Sequence, residues 1–280
     1  MSLTRMLSAT WHPFAPDRWR SLYSVIGLAL LGTIAVGCKD RPAAKDDDDD
    51  EDVAQKATPA IDSAAAASPG AAAASLAATA RSGGQAPTIW TFDSSVVGQP
   101  PTGFSFGRSG SGSLRRWVVR AAPDAPSSPN VLAQEDSDQT DYRFPVAVAA
   151  APSLADLSLS VRCHPVAGKV DRACGLVWRY QDADNYYLAR ANALEDNVRL
   201  YYVKDGHRRQ FAGWNGKVTS GVWHTLRVDA VGDHQIVSWD GAKVIDAHDR
   251  TFAAPGRVGV WTKADSQTLF DDLSAAALTP

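Results

Sequence analysis

The sequence predicts an all-β protein, an antiparallel β-sandwich that follows a signal segment and a disordered linker. Three observations lead to this fold class. Apolar and polar residues alternate along many short segments, as they do in half-buried strands. Turn signals such as Asp205-Gly206 and Asp240-Gly241 separate these segments at intervals of about 8–12 residues. The last two thirds of the chain lack the apolar period of an amphipathic helix, so a sandwich or jelly roll is expected.

The clearest strand pattern lies in the middle of this part of the chain. Leu176, Trp178 and Tyr180 are predicted to share one face of a strand, and Arg179 is predicted on the opposite face. Aromatic and β-branched residues bounded by Asp and Asn continue the pattern, which is typical of a strand meander. The second and third strands of this meander are expected at 186–191 and 198–203.

Other segments of the C-terminal part repeat the same rhythm and are predicted strands. A Gly/Ser-rich stretch at 107–112 matches neither a phosphate-binding loop nor a nucleophile elbow, so a plain loop is expected there. The remaining predicted strands lie at 89–93, 114–120, 130–134, 142–148, 153–162, 209–212, 223–228, 235–239, 243–247, 257–263 and 269–273.

The N-terminal segment, residues 1–37, is predicted to be the signal peptide of a bacterial lipoprotein. Arginines precede an apolar run at 25–36, which is a bacterial export pattern. That run is shorter than the ~20 residues of a membrane-spanning helix. It ends in Ala35-Val36-Gly37-Cys38, which resembles the lipobox and implies lipidation of Cys38. The alternative is a plain signal peptide or a short anchor with a chance cysteine.

The segment 38–87 is predicted to be a disordered tether, and 88–280 the sandwich domain. An acidic run at 46–52 repels itself, and the Ala, Ser, Thr, Pro and Gly that follow have little to bury. The formal net charge of the chain is −3, which excludes a strongly basic nucleic-acid binder. No nucleic-acid partner is therefore expected.

Two cysteines of the domain, Cys163 and Cys174, flank a loop and are predicted to lie at neighbouring ends of a hairpin. In an oxidising periplasm, a disulfide between them is expected. With Cys38 acylated, the number of remaining thiols is even. The alternative is a pair of reduced, buried cysteines whose Cβ atoms point apart.

Several motifs of the domain resemble the concanavalin A-like jelly rolls of lectins and glucanases. The nearest named family is the 3-keto-disaccharide hydrolase group of glycoside hydrolase 16-like domains, and the resemblance extends over about Ile89 to Ala275. It implies a jelly-roll fold and either saccharide binding or glycoside cleavage. The motifs are Gly175-Leu176-Val177-Trp178-Arg179-Tyr180, Asp184-Asn185-Tyr186-Tyr187, Trp223-His224-Thr225-Leu226-Arg227-Val228, Asp240-Gly241, Gly256-Arg257-Val258-Gly259-Val260-Trp261 and Phe270-Asp271-Asp272.

Catalytic residues are not assigned by the sequence. A family 16 glucanase would carry Glu-x-Asp-x-x-Glu on one strand, which places two carboxylates about 5–5.5 Å apart for retaining hydrolysis. This chain has no such run, and Glu195-Asp196 are adjacent in a turn. Hydrolysis by that mechanism is therefore not expected, and the resemblance to 3-keto-disaccharide hydrolases identifies no catalytic side chain here.

A structural calcium ion is a hypothesis for the first and last strands. Asp93, Asp271 and Asp272 converge if the two ends of the domain pair, and clustered carboxylates suit Ca²⁺. The alternative is that one aspartate bonds backbone amides and another is solvated. The histidines are scattered, and no Cys-x-x-Cys is present, so a zinc site is not expected.

A saccharide-binding patch is the main site hypothesis. Jelly rolls bind sugars on one sheet, where aromatic faces stack on the ring and polar side chains bond the hydroxyls. The alternative is a set of ordinary cross-strand pairs on a solvated face. The patch requires Arg179, Tyr187, Arg190, Asn192, Asn197 and Tyr201 to share the outward face, with Trp214 and Lys263 at its rim.

These observations favour an envelope lipoprotein whose jelly roll binds a glycan, with the membrane contacted only through the lipid. Lys39, directly after the acylated cysteine, implies by resemblance to Gram-negative lipoproteins an outer-membrane location facing the periplasm or the cell surface. A glycoside-cleaving enzyme of the 3-keto-disaccharide hydrolase type is the alternative. A structural envelope protein without a ligand is the third hypothesis, and no organic cofactor is expected.

Overall fold

The computed structural model describes residues 86–114 and 116–279. The predicted signal peptide, the lipidation of Cys38 and nearly all of the predicted tether lie outside these residues. Among the described residues there is no helix long and apolar enough to cross a membrane.

The described residues form an all-β fold of short strands, as the alternating pattern predicts. The strands are β1 Thr88–Trp90, β2 Phe104–Gly110, β3 Trp117–Ala121, β4 Asn130–Gln134, β5 Arg143–Ala149, β6 Leu157–Ala167, β7 Ala173–Asp182, β8 Asn185–Asn192, β9 Asn197–Lys204, β10 His207–Asn215, β11 His224–Val231, β12 His234–Trp239, β13 Ala242–His248, β14 Arg257–Trp261 and β15 Gln267–Ala277.

Two antiparallel sheets make the sandwich. One has seven strands in the order β10-β9-β8-β7-β14-β5-β2, and the other has eight, in the order β13-β12-β11-β6-β15-β4-β3 with β1 paired to β15. The meander β7-β8-β9-β10 confirms the predicted run of hairpins, and its turns fall at the Asp/Asn clusters.

The main core lies between the two sheets. Leu157, Leu159 and Val161 of β6 are buried there, while Ser158 and Ser160 between them are half-buried on the opposite face. Strands of the seven-stranded sheet contribute to the same core, so the alternation of apolar residues translates directly into a packed interface.

A second apolar cluster lies on the opposite, outer face of the seven-stranded sheet. Its buried members come only from strands of that sheet, and they alternate with the residues that enter the main core. The strands β7 and β8 are consequently buried on both faces. The members are Phe144, Val146, Val148, Ala173, Val177, Tyr180, Tyr186, Leu188, Tyr201, Val203 and Trp261.

The predicted alternation of β7 is wrong beyond Trp178. Trp178 enters the main core as expected, but Tyr180 belongs to the outer-face cluster. The reason is a bulge: the register of β7 shifts after Trp178, and Arg179 adopts a φ of 46°. An extra residue in one strand reverses the faces of everything that follows it.

The predicted hairpin between β6 and β7 is also wrong. β6 pairs with β11 and β15, whereas β7 pairs with β8 and β14 in the other sheet. Cys163 and Cys174 both face the main core, and the structure joins them by a disulfide with a Cα–Cα distance of 6.4 Å. The disulfide therefore links the two sheets across the core.

Candidate ligand-binding site

Five of the eight residues predicted for a saccharide patch lie together on the outer face of the seven-stranded sheet. Arg190 and Asn192 share that face with Leu188 of the same strand, and Asn197 lies opposite Asn192 on β9. Tyr201 belongs to the outer-face apolar cluster. Lys263, which follows β14, reaches the same region through its contact with Asp171.

The guanidinium of Arg190 is the centre of this group. Its Nη2 donates to Glu195 Oε2 at 2.6 Å and to Asn197 Oδ1 at 2.9 Å, and its Cζ lies 5.6 Å from the centre of the Tyr201 ring. Burial opposes the charge on Arg190, but Tyr201, Asp171 and Glu195 outweigh it and raise the pKa of this side chain. Arg190 therefore carries its charge at every physiological pH.

Aromatic rings lie beside Arg190. Gly175 of β7 pairs with Arg190 across the strands, and Trp261 of β14 pairs with Gly175 on its other side. A Cβ at Gly175 would lie 3.2 Å from Trp261 Cε3 and 2.9 Å from Leu188 Cδ1, so glycine leaves room for the indole. Trp261 stacks on Phe144 with the ring centres 5.5 Å apart.

Arg208 of β10 lies over two of these rings. Its Cζ is 4.6 Å from the centre of the Tyr201 ring and 4.7 Å from that of Phe144. Both rings are buried, while Arg208 is half-buried. The Arg208 side chain is thus a long, partly exposed cover over a buried aromatic floor.

A buried carboxyl group, that of Asp171, completes the arrangement. Its side chain is 0% exposed, and both of its oxygens lack a hydrogen-bond partner among the described residues. Lys263 Nζ lies 3.6 Å from Asp171 Oδ2 and 2.9 Å from Asp141 Oδ1. Burial raises the pKa of Asp171 to about 6, although Arg190 and Lys263 oppose the shift.

The loop that carries Asp171 is held rigidly. The carboxylate of Asp265 accepts hydrogen bonds from the backbone amides of Lys169, Val170 and Asp171, at 2.8, 3.0 and 3.1 Å. Three amide donors fix the backbone of the loop, so the Asp171 side chain is presented from a preorganised position.

Several buried polar atoms of this region lack a hydrogen-bond partner among the described residues. Both donors and acceptors are represented. Buried polar groups are paired in the great majority of cases, so a concentration of unpaired ones in one place needs an explanation. These atoms are Arg190 Nε and Nη1, Asn192 Nδ2, Tyr201 OH and the two carboxyl oxygens of Asp171. We call the set Phe144, Asp171, Arg190, Asn192, Glu195, Asn197, Tyr201, Arg208, Trp261 and Lys263 the outer-face site.

Arg179 and Tyr187 do not join the outer-face site, and their predicted outward placement is wrong. Tyr187 packs in the main core, stacked on Trp178 at 5.5 Å, and its hydroxyl donates to Asp249 Oδ1 at 2.5 Å. Arg179 donates from Nε to the carbonyl of Ala155 at 2.9 Å. The bulge in β7 turns Arg179 toward the loop that carries Ala155. The alternation of β8 places Tyr187 and Arg190 on opposite faces of the sheet.

Trp214 is not at the rim either. It lies opposite Val198, a main-core residue, and packs against the main core. A register shift in β10 between Gln210 and Ala212 brings Trp214 to this side of the sheet.

The calcium hypothesis is not supported by the arrangement of the aspartates. Asp93 accepts from the amide of Asn130 at 3.1 Å, and Asp271 accepts from the amides of Ser127 and Asp272, both at 2.8 Å. In the described part of the chain, no group of three or more His, Cys, Asp or Glu side chains is placed to hold a metal ion. The predicted convergence of the three aspartates is therefore wrong: Asp93 and Asp271 accept from backbone amides, and Asp272 Oδ1 accepts from the Ser127 hydroxyl at 2.6 Å.

Sequence reasoning missed Asp171, Trp261 and Phe144. Trp261 and Phe144 lie within predicted strands, but only the pairing of β14 between β5 and β7 brings them beside Arg190. Asp171 lies in a loop that the strand pattern passes over. The available signal for it was a lone acidic residue two positions before a strand that begins with the buried Ala173 and Cys174.

No protein-family model matches the chain, and no curated protein matches it. Among solved structures, the chain is similar to a carbohydrate-binding module, CBM66 from Bacillus subtilis, with 22% identity, a TM-score of 0.48, and coverage of 63% of this chain and 96% of that one.

Two further solved structures are similar at lower identity. The exoplasmic/lumenal domain of VIP36, in a Ca²⁺- and mannose-bound form, has 10% identity and a TM-score of 0.46 over 69% of this chain and 90% of that one. The GH43 protein BlXynB from Bacillus licheniformis has 14% identity and a TM-score of 0.47 over 68% of this chain and 39% of that one. Similarity at this level carries no argument about ligand or activity.

Proposed function

We propose that this chain is a carbohydrate-binding protein and that the outer-face site holds the saccharide. The observation that carries the proposal is the concentration of buried polar atoms without hydrogen-bond partners, of both donor and acceptor type, beside aromatic rings. Leaving such groups unpaired costs about 1–3 kcal/mol each. A ligand that pairs with them offsets that cost.

A saccharide fits this mixture of groups. Each sugar hydroxyl donates one hydrogen bond and accepts others, so it complements a carboxylate on one side and an amide or guanidinium on the other. Asp171 supplies acceptors, Arg190 and Asn192 supply donors, and the Tyr201 hydroxyl supplies either. The apolar C–H face of a sugar ring packs on aromatic rings in the same way that Arg208 packs on Tyr201.

Entry of the saccharide requires movement of a cover. Arg208 is the half-buried side chain over Tyr201 and Phe144, and its stem is long and unbranched. Rotation of a half-buried side chain of this kind changes its rotamer and leaves the backbone of the sheet unchanged. The sugar ring then takes the place of the guanidinium on the aromatic floor.

Two tyrosine variants on one strand test the proposal. The full-length protein, solubilised in a detergent without a sugar headgroup, is screened on a glycan array, and the affinity of the best ligand is measured by calorimetry. Tyr201→Phe removes one unpaired hydroxyl from the outer-face site and is expected to weaken binding about 5–10-fold. Tyr202→Phe, whose ring packs against the main core, is the matched control and is expected to bind as the wild type.

The absence of saccharide binding in the wild type would refute the proposal. An equal effect of the two substitutions would place the ligand elsewhere, since the two side chains lie on opposite faces of β9.

A second candidate function, glycoside cleavage, rests on two carboxyl groups whose pKa values are shifted in opposite directions. Burial raises the pKa of Asp171 to about 6. Burial also opposes ionisation of Glu195, but Arg190 and Asn197 outweigh it and lower the pKa of Glu195. Paired carboxyl groups whose pKa values are moved apart are typical of acid–base sites. Release of monosaccharide from 3-keto-disaccharides, abolished by Asp171→Asn and by Glu195→Gln, would favour the enzyme over a binding module.

We also propose that the protein is an envelope lipoprotein anchored through Cys38, with the acidic tether between anchor and domain. The export pattern and the lipobox-like Ala35-Val36-Gly37-Cys38 support this location. Mass spectrometry of the membrane-extracted protein tests it: a mature N-terminus at Cys38 carrying acyl chains is expected. An unmodified Cys38 within an uncleaved chain would contradict it.

A further inference from the structure

We propose that Asp171 restricts the outer-face site to uncharged saccharide units and rejects units that carry a carboxylate. This inference rests on the proposed function and adds to it the chemical class of the ligand. It follows from the position of Asp171, the partners of the neighbouring cations, and the balance of charges around the buried floor.

Asp171 cannot withdraw from a ligand in the site. Its side chain is fully buried, and its backbone is held by the Asp265 carboxylate through three amide hydrogen bonds in the Lys169–Asp171 loop. Both Asp171 oxygens lack a hydrogen-bond partner among the described residues. They are therefore preorganised acceptors for hydroxyl groups, and an anion in the same place meets a fixed negative charge.

The nearby cations already have anionic partners. Arg190 donates to Glu195 at 2.6 Å, and Lys263 lies 2.9 Å from Asp141 and 3.6 Å from Asp171. Arg208, the half-buried cover over the aromatic rings, also faces Asp171. A carboxylate on the ligand would have to compete with protein carboxylates for each paired cation.

The charges that face Asp171 come from four parts of the fold. They are Arg190 on β8, Glu195 in the turn after β8, Arg208 on β10 and Lys263 after β14. Together with Asp141 beside Lys263, these groups amount to three positive and three negative charges when Asp171 is ionised. A neutral ligand preserves this balance in a buried region, whereas an anionic one leaves an excess negative charge that burial penalises.

Matched pairs of saccharides test the inference on the full-length protein. Each pair has the same linkage and differs only at C6 of one unit, which is a hydroxymethyl group in the neutral member and a carboxylate in the uronic acid. The neutral member is expected to bind at least ~30-fold more tightly at about pH 7.5. Asp171→Asn is expected to weaken neutral binding about tenfold and to reduce this preference to less than ~3-fold.

The preference for neutral over charged sugars is also measured as a function of pH. If Asp171 had only a structural role, this preference would not change with pH. Between about pH 7.5 and pH 5 the Asp171 carboxyl takes up its proton, because its pKa lies at about 6, while a uronic acid stays ionised. The preference of the wild type for neutral sugars is expected to narrow over this range, and that of Asp171→Asn to stay constant. Asp229→Asn, which changes a half-buried aspartate on the eight-stranded sheet, is the matched control and is expected to follow the wild type.

The outcomes separate the two proposals. If neither member of any pair binds, the carbohydrate-binding function itself is refuted. If uronic acids bind as tightly as their neutral counterparts, or if Asp171→Asn retains the wild-type preference, saccharide binding stands and the role of Asp171 is refuted.

Discussion

Asp171 is a single residue whose burial lowers the stability of the fold at neutral pH. Its carboxyl is buried without a hydrogen bond among the described residues, and its pKa is raised from 3.8 to about 6. A carboxyl whose pKa is higher in the folded than in the unfolded state stabilises the fold below its unfolded pKa. That stabilisation is lost as the pH rises through about 6. Asp171 therefore destabilises the protein at neutral pH by about 3 kcal/mol.

Replacing Asp171 by Asn is expected to stabilise the protein at neutral pH. The substitution removes a buried charge and keeps the side-chain volume, and Lys263 retains Asp141 as a partner. We expect a gain of about 1–3 kcal/mol at about pH 7.5 and little change at about pH 4. Thermal unfolding followed by circular dichroism over this range checks it.

Burial also raises the pKa of Asp271 to about 6. Asp271 is present in both the wild type and the variant, so its contribution to the pH dependence of stability cancels in the comparison. A variant that is less stable than the wild type at every pH would show that the Asp171 carboxylate stabilises the fold instead.

The bulge in β7 is the feature at the scale of one element that decides which residues reach the outer-face site. Arg179 has a φ of 46°, and the backbone at Gly256 approaches it closely. A Cβ at Gly256 would lie 2.3 Å from the carbonyl carbon of Arg179 and 2.6 Å from the amide nitrogen of Tyr180. Backbone atoms cannot move aside as side chains can, so glycine is required at this position.

Gly256→Ala is expected to lower the free energy of unfolding by more than ~2 kcal/mol, because the methyl group would overlap the bulged backbone. Gly107→Ala is the matched control. Its Cβ would meet a side-chain atom of Val146 at 3.3 Å, so its effect is expected to stay below ~1 kcal/mol. Urea unfolding of both variants measures the difference, and equal stabilities would show that the bulge does not constrain position 256.

The Cys163–Cys174 disulfide joins the element that leads to Asp171 to the opposite sheet. The sequence separation of the two cysteines is 11. Closing a loop of this size stabilises a protein by about 2–3 kcal/mol. Replacement of both cysteines by Ala is expected to reduce the free energy of unfolding by about this amount in urea titrations. Mass spectrometry that finds two free thiols in the wild type, with no loss of stability in the variant, would contradict the link.

Sequence alternation predicted those elements in which the backbone is regular. It placed Arg190, Asn192, Asn197 and Tyr201 correctly because β8 and β9 pair without interruption. It failed for Arg179 and Trp214, because bulges in β7 and β10 change the face of the residues that follow. The β7 bulge lies against the distant backbone at Gly256, and no pattern within β7 itself reveals that contact.

At the scale of the whole domain, the described residues form a sandwich whose two outer faces differ. The outer face of the eight-stranded sheet carries small, half-buried residues such as Ser158, Ser160 and Ser274. The outer face of the seven-stranded sheet buries large aromatic rings and ionisable groups. This asymmetry could not be predicted from the sequence, because it depends on β14 inserting between β5 and β7.

The indole N–H resonance of Trp261 tests most directly whether a saccharide occupies the outer-face site. Trp261 belongs to the outer-face cluster and stacks on Phe144, so a saccharide bound on these rings is expected to shift the signal of its indole N–H. In ¹⁵N-labelled full-length protein, Trp261→Phe identifies the peak, and the tightest neutral oligosaccharide from the array is titrated in. We predict that the Trp261 peak moves with the binding curve while that of Trp178, in the main core, stays fixed. Saturation with ligand and an unmoved Trp261 peak would contradict the account.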